Sequence, residues 1–77
     1  MTSYKFDVYG RRMLIEESAQ GWEAFYLGDE GKRRPATDIM IPNSLYAADI
    51  AQYLADLCHE WATERHPEVK LLDESKL

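Results

Sequence analysis

Apolar residues recur at helical spacing in one long stretch of the chain, residues 42–66. At about 100° per residue, six apolar side chains fall within roughly 60° of Ile50 on the helical wheel. They are Tyr46, Ile50, Tyr53, Leu54, Leu57 and Trp61. The opposite arc is polar, which is typical of a helix with one buried face. The pattern predicts a single amphipathic helix from about residue 44 to residue 65.

The ends of this stretch carry helix-capping and helix-stopping residues. Asn43 or Ser44 can accept hydrogen bonds from the first backbone N–H groups, and Pro67 prevents continuation beyond His66. At about 1.5 Å per residue, such a helix would be roughly 33 Å long and could cross a whole small sheet.

Before this stretch, apolar and polar residues alternate with the period of β-strands. Residues 4–9, YKFDVY, predict a first strand, and a two-residue turn at Gly10 and Arg11 would start a second strand at Arg12. The apolar pairs would share a face, and an opposite-charge pair would lie on the other. In this register the pairs are Val8 with Met13, Phe6 with Ile15, and Lys5 with Glu16.

Three further segments have strand-like composition. Residues 22–27, WEAFYL, predict a third strand, and residues 38–41, DIMI, a short fourth. The sequence does not decide which side chains of the third strand face the helix, because a one-residue difference in the preceding turn would reverse them. Either Trp22, Ala24 and Tyr26 face the helix, or Phe25 and Leu27 do. Residues 68–72 fit an edge strand or packed coil, and residues 73–77 a disordered polar tail.

These elements predict one α+β domain over residues 1–72. Its architecture would be an antiparallel meander of three or four strands, packed on one face by a single long C-terminal helix. Seventy-seven residues allow one modest core. The predicted core consists of Phe6, Val8, Met13, Ile15, Ile39, Ile41, Ile50, Leu54, Leu57 and Trp61.

Composition narrows the class of protein. With 45% hydrophobic and 12% aromatic residues the chain is too apolar to be disordered, and no apolar run has the ~18 residues of a membrane span. The N-terminal sequence lacks the pattern of a signal peptide, and the single cysteine, Cys58, fits a small core or boundary residue in a reducing compartment. We therefore expect a folded cytoplasmic protein. The net charge of −5 argues against general nucleic-acid binding.

The first candidate site is a basic patch. In an antiparallel meander, the first-to-second and third-to-fourth connections lie at the same end of the sheet. This end would collect Arg11, Arg12, Lys32, Arg33 and Arg34, with Asp29 and Glu30 partly cancelling the field. Such a patch would suit an acidic partner, a phosphate or nucleic acid, although charged loops are often merely solvated.

The second candidate site is the sheet face that one helix leaves uncovered. Exposed apolar groups there would favour contact with a partner protein or a second copy, although small domains often leave aromatic residues half exposed. The candidate contact residues are Tyr9, Leu14, Trp22, Phe25 and Tyr26.

No catalytic, cofactor-binding or metal-binding set emerges. His59 and His66 are seven residues apart, which is about 10 Å along a helix and too far to share one ion. Glu60 and Glu64 share a helix face, but such pairs are usually solvated. We expect a protein that is not an enzyme and needs no cofactor.

Two blocks resemble a family of short, single-domain bacterial proteins of unknown function: FYLGDEGKRRP at residues 25–35 and YLADLCHEWATERHPEV at residues 53–69. This resemblance implies a bacterial, stand-alone cytosolic protein and assigns no site residues. GWEAFYLGDEG, at residues 21–31, is similar to a weaker degree to the half-domain of HicB-like antitoxins. That family's proline and glycine-cysteine signature is missing, and so is an added DNA-binding domain.

The sequence therefore favours a non-catalytic protein-interaction module that acts through the open sheet face, and it allows a homodimer. The alternative is phosphate or nucleic-acid binding, of an antitoxin-like kind, through the basic loops.

Overall fold

In the computed structural model, which describes residues 2–28 and 32–76, five strands form one antiparallel sheet. The strands are β1 (Thr2–Val8), β2 (Arg11–Ser18), β3 (Gly21–Leu27), β4 (Arg33–Pro35) and β5 (Val69–Lys76). Their order across the sheet is β4-β3-β2-β1-β5. Between β4 and β5 the chain crosses one face of the sheet. It forms a 3₁₀ turn (Ala47–Asp49), helix α1 (Ile50–Leu57) and a second 3₁₀ turn (His59–Trp61).

The predicted fold, with three or four strands and one long helix, is wrong. The helix α1 has eight residues, and with the preceding 3₁₀ turn the continuous helical segment covers only residues 47–57. The apolar stripe ends at Trp61, and residues 62–66 offer no large apolar side chain. A helix continued to residue 65, as predicted, would bury nothing beyond Trp61, whereas leaving the helix lets the chain return to the sheet and pair along β1.

The first hairpin turns one residue earlier than predicted, at Tyr9 and Gly10. Both have positive φ angles, 52° and 90°, as a type I′ turn requires. Phe6 consequently lies opposite Met13, and Tyr4 opposite Ile15. The pairing changes by two positions, an even number, so the apolar residues remain on the face predicted for them.

The facing of β3 follows from its pairing with β2. Tyr26 lies opposite Met13 and Ala24 opposite Ile15, so these residues share the helix-covered face. Leu14 lies opposite Phe25 on the other face. Of the two alternatives for the third strand, the structure has the one in which Trp22, Ala24 and Tyr26 face the helix.

The fourth strand is Arg33–Pro35, and the prediction of a strand at residues 38–41 is wrong. The Ala36 N–H donates to the Ala24 carbonyl at 2.8 Å, and the chain then leaves the sheet. Ile39 and Ile41 are buried without strand pairing. Their alternation reflects packing into the core and not strand pairing. Pro35 is tolerated because β4 is an edge strand.

The prediction of a disordered polar tail at residues 73–77 is also wrong for the residues that the structure describes. Strand β5 runs through residues 73–76, where Glu74 lies opposite Tyr4 and Lys76 opposite Thr2. A register shift facing Lys5 and Phe6 marks a bulge in this edge strand. Leu77 lies outside the described residues.

The core lies between the helix and the sheet. Eight of the ten predicted core residues are buried; Trp61 is partly buried, and Leu57 is 46% exposed. Ile50, Leu54 and Cys58, at four-residue spacing, form the buried stripe of the helical segment. The buried set also includes Tyr9, Ala24, Ala36 and Cys58.

Three aromatic side chains hold the crossing segment in place through their polar ends. The Tyr9 hydroxyl donates to the Ala55 carbonyl at 2.9 Å, and the Trp22 indole N–H donates to the Leu45 carbonyl at 3.0 Å. The Tyr53 hydroxyl donates to the carbonyl of Met40 at 2.6 Å. Each ring buries apolar surface while its polar atom satisfies a backbone acceptor. The Tyr9 and Trp22 bonds join the sheet to the crossing segment, and the Tyr53 bond joins α1 to the chain that precedes it.

No helix in the described part of the chain is long and apolar enough to cross a membrane.

Candidate functional site

The Tyr9-Gly10 turn and the β3–β4 connection lie at the same end of the sheet. A cavity of about 690 Å³ opens there, hereafter the basic cavity. It is lined by Gly10, Arg11, Arg12, Tyr26, Leu27 and Arg34. The structure thus brings together three residues of the predicted basic patch, while Lys32 and Arg33 do not line the cavity. Asp29 and Glu30 lie outside the described residues.

Arg11 is held against an aromatic side chain from the crossing segment. Its Cζ atom lies 4.2 Å from the centroid of the Trp61 ring, and Trp61 packs against Tyr26 with centroids 6.2 Å apart. A guanidinium over an indole face is attracted by the ring quadrupole. The sequence contains no signal for this contact, because it depends on where the helical segment ends.

Tyr26 carries a hydrogen bond at the side of the basic cavity. Its hydroxyl donates to the Asp38 carboxylate, at 2.8 Å from Oδ2. Burial, followed by this hydrogen bond and the negative charge of Asp38, raises the pKa of Tyr26 to about 12, although Arg11 acts in the opposite direction. The phenol is therefore a neutral donor at ordinary pH.

Arg33 belongs to the other side of the sheet. Its Cζ atom lies 4.4 Å from the centroid of the Phe25 ring, and its Nη1 lies 2.9 Å from Glu16 Oε2. The guanidinium therefore lies over the Phe25 ring of β3 and pairs with a carboxylate of β2, two strands away from β4. At this exposure the ion pair contributes little to stability, but it orients Arg33 away from the basic cavity.

The sheet face opposite the helix, hereafter the open face, carries a smaller cavity of about 390 Å³. Its lining residues are Lys5, Arg12, Leu14, Leu27, Gly28, Arg33 and Leu72. All of them belong to strands or to the β3–β4 connection, and none to the crossing segment. The cavity combines leucine side chains with three basic ones, as an amphipathic ligand surface does.

The predicted interaction residues divide between the two faces. Tyr9 is buried in the core, and Trp22 and Tyr26 pack against it. Leu14 and Phe25 lie on the open face, opposite each other in β2 and β3. The structure adds Leu72, which is 52% exposed. Its placement depends on the β5 bulge, which the sequence pattern does not reveal.

Cys58 is a buried thiol, 3% exposed. Burial is the main cause that raises its pKa; the charge of Asp38 adds to this, and Arg11 opposes it. A thiol in this environment is a weak nucleophile at neutral pH. Within residues 2–28 and 32–76, no group of three or more His, Cys, Asp or Glu side chains could hold a metal ion.

Fold and surfaces together define a small domain built on one antiparallel sheet, with a helical segment crossing one face and an open second face. The chain belongs to the family described as a domain of unknown function (DUF7661), whose sequence model matches residues 3–73. This confirms the resemblance to a family of unknown function in that general form. A bacterial source and the similarity to HicB-like antitoxins are not confirmed. No curated protein and no solved structure matches the chain.

Proposed function

We propose that this protein is a non-catalytic protein-interaction module of the cytoplasm and that its contact surface is the open face. The observation that carries the proposal is the open-face cavity, whose leucine side chains lie on the sheet face away from the helical segment. Apolar groups left at a surface favour association, because burying them against a partner removes them from water.

The charges around this cavity favour one kind of partner. Lys5, Arg12 and Arg33 line it together with the leucines. Arg33 already pairs with Glu16, but no carboxylate among the described residues forms an ion pair with Arg12. A partner segment that places a carboxylate beside its apolar side chains would match this arrangement. A second copy of the chain is the other possible occupant.

Two adjacent leucines allow a matched test of this surface. Leu71 and Leu72 are 53% and 52% exposed on the same strand, but only Leu72 lines the open-face cavity. Leu71 lies opposite Phe6, on the helix-covered side of the sheet. A photo-cross-linking residue in place of Leu72 should form a discrete protein adduct in cells, and the same residue in place of Leu71 should not.

Light scattering over a range of concentrations then separates the possible partners. A concentration-dependent dimer that Leu72→Asp abolishes and Leu71→Asp leaves intact would identify a second copy. A monomer that still forms the adduct would identify another protein. The proposal fails if neither position yields an adduct, or if both positions yield the same one.

A further inference from the structure

The basic cavity presents positive charge that the described chain leaves uncompensated. Within residues 2–28 and 32–76, neither Arg11, Arg12 nor Arg34 has a carboxylate oxygen within 4.0 Å. Arg33, one residue before Arg34, does form such a pair. The chain carries a net charge of −5, so one cavity with three arginines that pair with no described carboxylate departs from its average.

Among the described residues, Asp7 and Asp38 are bonded to groups of this region, and each has a defined neighbour. Asp7 is opposite Arg12 in β1, and its Oδ1 accepts the Gly10 N–H at 2.7 Å. Asp38 accepts the Tyr26 hydroxyl. Neither residue lines the cavity. The groups that do line it are the three arginines, a phenol, a leucine and a glycine.

All three arginines of the basic cavity belong to strands of the sheet. Arg11 and Arg12 begin β2 and Arg34 is the middle residue of β4, so their backbones are fixed by strand pairing. The Arg11 side chain is further restrained over Trp61. Restraint before binding lowers the entropy cost of holding a ligand.

We propose that the basic cavity binds a small phosphorylated molecule that carries at least two negative charges. Guanidinium groups present planar pairs of N–H donors that match the oxygen atoms of a phosphate group. The volume, about 690 Å³, falls in the usual range of small-molecule pockets and leaves room for an organic part beside the phosphate. Tyr26 and Leu27 supply the surface for that part.

A polyanion fits the cavity less well. Nucleic-acid binding gains its affinity from cationic groups spread along a surface that displace many counterions. Here the three arginines surround one concavity on an acidic protein. We therefore expect the basic cavity to bind a small anion more tightly than an oligonucleotide.

The test is calorimetric titration of the full chain at low salt with AMP, inorganic pyrophosphate and adenosine. AMP and pyrophosphate should each bind at one site, and adenosine, which lacks the phosphate, should not. Arg34→Gln should weaken both by about tenfold or more, because a hydrogen bond to a charged group is lost. Arg34 does not line the open-face cavity, so this result is independent of the proposed function.

Arg65→Gln is the matched control, because Arg65 is also exposed, between the second 3₁₀ turn and β5, but does not line the basic cavity. It should leave both affinities unchanged.

Amide resonances of Gly10, Arg11 and Arg34 should shift on titration with AMP, which locates the site without a variant. The proposal is overturned if neither anion binds at millimolar concentration, or if the two variants weaken binding equally. It is also overturned if a short single-stranded oligonucleotide binds more than about tenfold tighter than AMP, with strong salt dependence.

Discussion

The Tyr9 hydroxyl donates a hydrogen bond to the carbonyl of Ala55 at 2.9 Å, and this bond joins the first hairpin turn to helix α1. Tyr9 has a positive φ angle of 52°, which a bulky residue rarely adopts. Its side chain is nevertheless buried in the core. A residue unfavourable for the turn is thus retained at a position where its ring and hydroxyl contribute to the packing of the helix.

Tyr9→Asn tests which of these two effects is larger. Asparagine suits a type I′ turn, and relief of left-handed strain contributes about 1–2 kcal/mol. Loss of a buried aromatic ring costs about 3–5 kcal/mol. We expect a net loss of roughly 2 kcal/mol in the free energy of unfolding, measured by urea denaturation.

Two variants make the Tyr9 experiment interpretable. Tyr9→Phe keeps the ring and removes the hydrogen bond, so it should cost about 1 kcal/mol. Tyr46→Phe alters a side chain that is 77% exposed and should have almost no effect. A Tyr9→Asn protein as stable as the wild type would show that turn geometry outweighs burial at this position.

Gly10→Ala should destabilise the protein by more than about 1 kcal/mol. Gly10 has a φ angle of +90°, and a Cβ atom there would lie 2.7 Å from the Cδ2 atom of His66. Gly28→Ala is the matched control, because its Cβ would make only an ordinary contact, 3.5 Å from the Lys32 carbonyl oxygen. Urea denaturation of both variants checks the difference. Equal losses would contradict the close packing of His66 on the turn.

Removal of residues 73–77 should lower the free energy of unfolding by roughly 2 kcal/mol, because it breaks several backbone hydrogen bonds to β1. Asp73, Glu74, Ser75 and Lys76 lie opposite residues 2–5. Ser75→Val, which keeps the strand and raises its β-propensity, should not destabilise the protein. An unchanged urea midpoint after truncation would mean that this segment adds nothing to the sheet.

Stability should fall as the pH rises from about 10 toward 12, and Tyr26 should contribute to this fall. Its pKa is raised from the usual 10.0 to about 12 in the folded state. In this interval the unfolded chain loses the phenol proton while the folded protein keeps it, so ionisation favours unfolding. Below pH 10 the stabilising contribution is fully present. The measurement is the free energy of unfolding as a function of pH for the wild type and Tyr26→Phe.

The Tyr26→Phe protein should lose stability less steeply over this interval. Absorbance of the folded wild type near 295 nm should likewise show one phenol still protonated at pH 11 that the variant lacks. Parallel pH profiles for the two proteins would contradict the raised pKa.

Sequence periodicity by itself determined which residues of the first two strands are buried and that an amphipathic helical segment follows them. Phe6, Val8, Met13 and Ile15 are buried as the alternation predicts, and so are Ile50 and Leu54. These assignments depend on side-chain spacing alone, which a change of two positions in strand pairing leaves intact. The order of an antiparallel meander, and not local spacing, predicted one basic end with Arg11, Arg12, Lys32, Arg33 and Arg34, of which the first two and Arg34 line the basic cavity.

Tertiary structure decided where the helix ends, how many strands there are and which aromatic residues remain outside the core. Helical periodicity continues as far as Trp61, so the sequence holds no local reason for α1 to end at Leu57. The helix ends where it does because residues 69–76 pair with β1, and the energy of that pairing depends on residues distant in the sequence. The division of Tyr9 and Phe25 between the core and the open face has the same origin, since it follows from a turn geometry and a strand register that only the assembled sheet fixes.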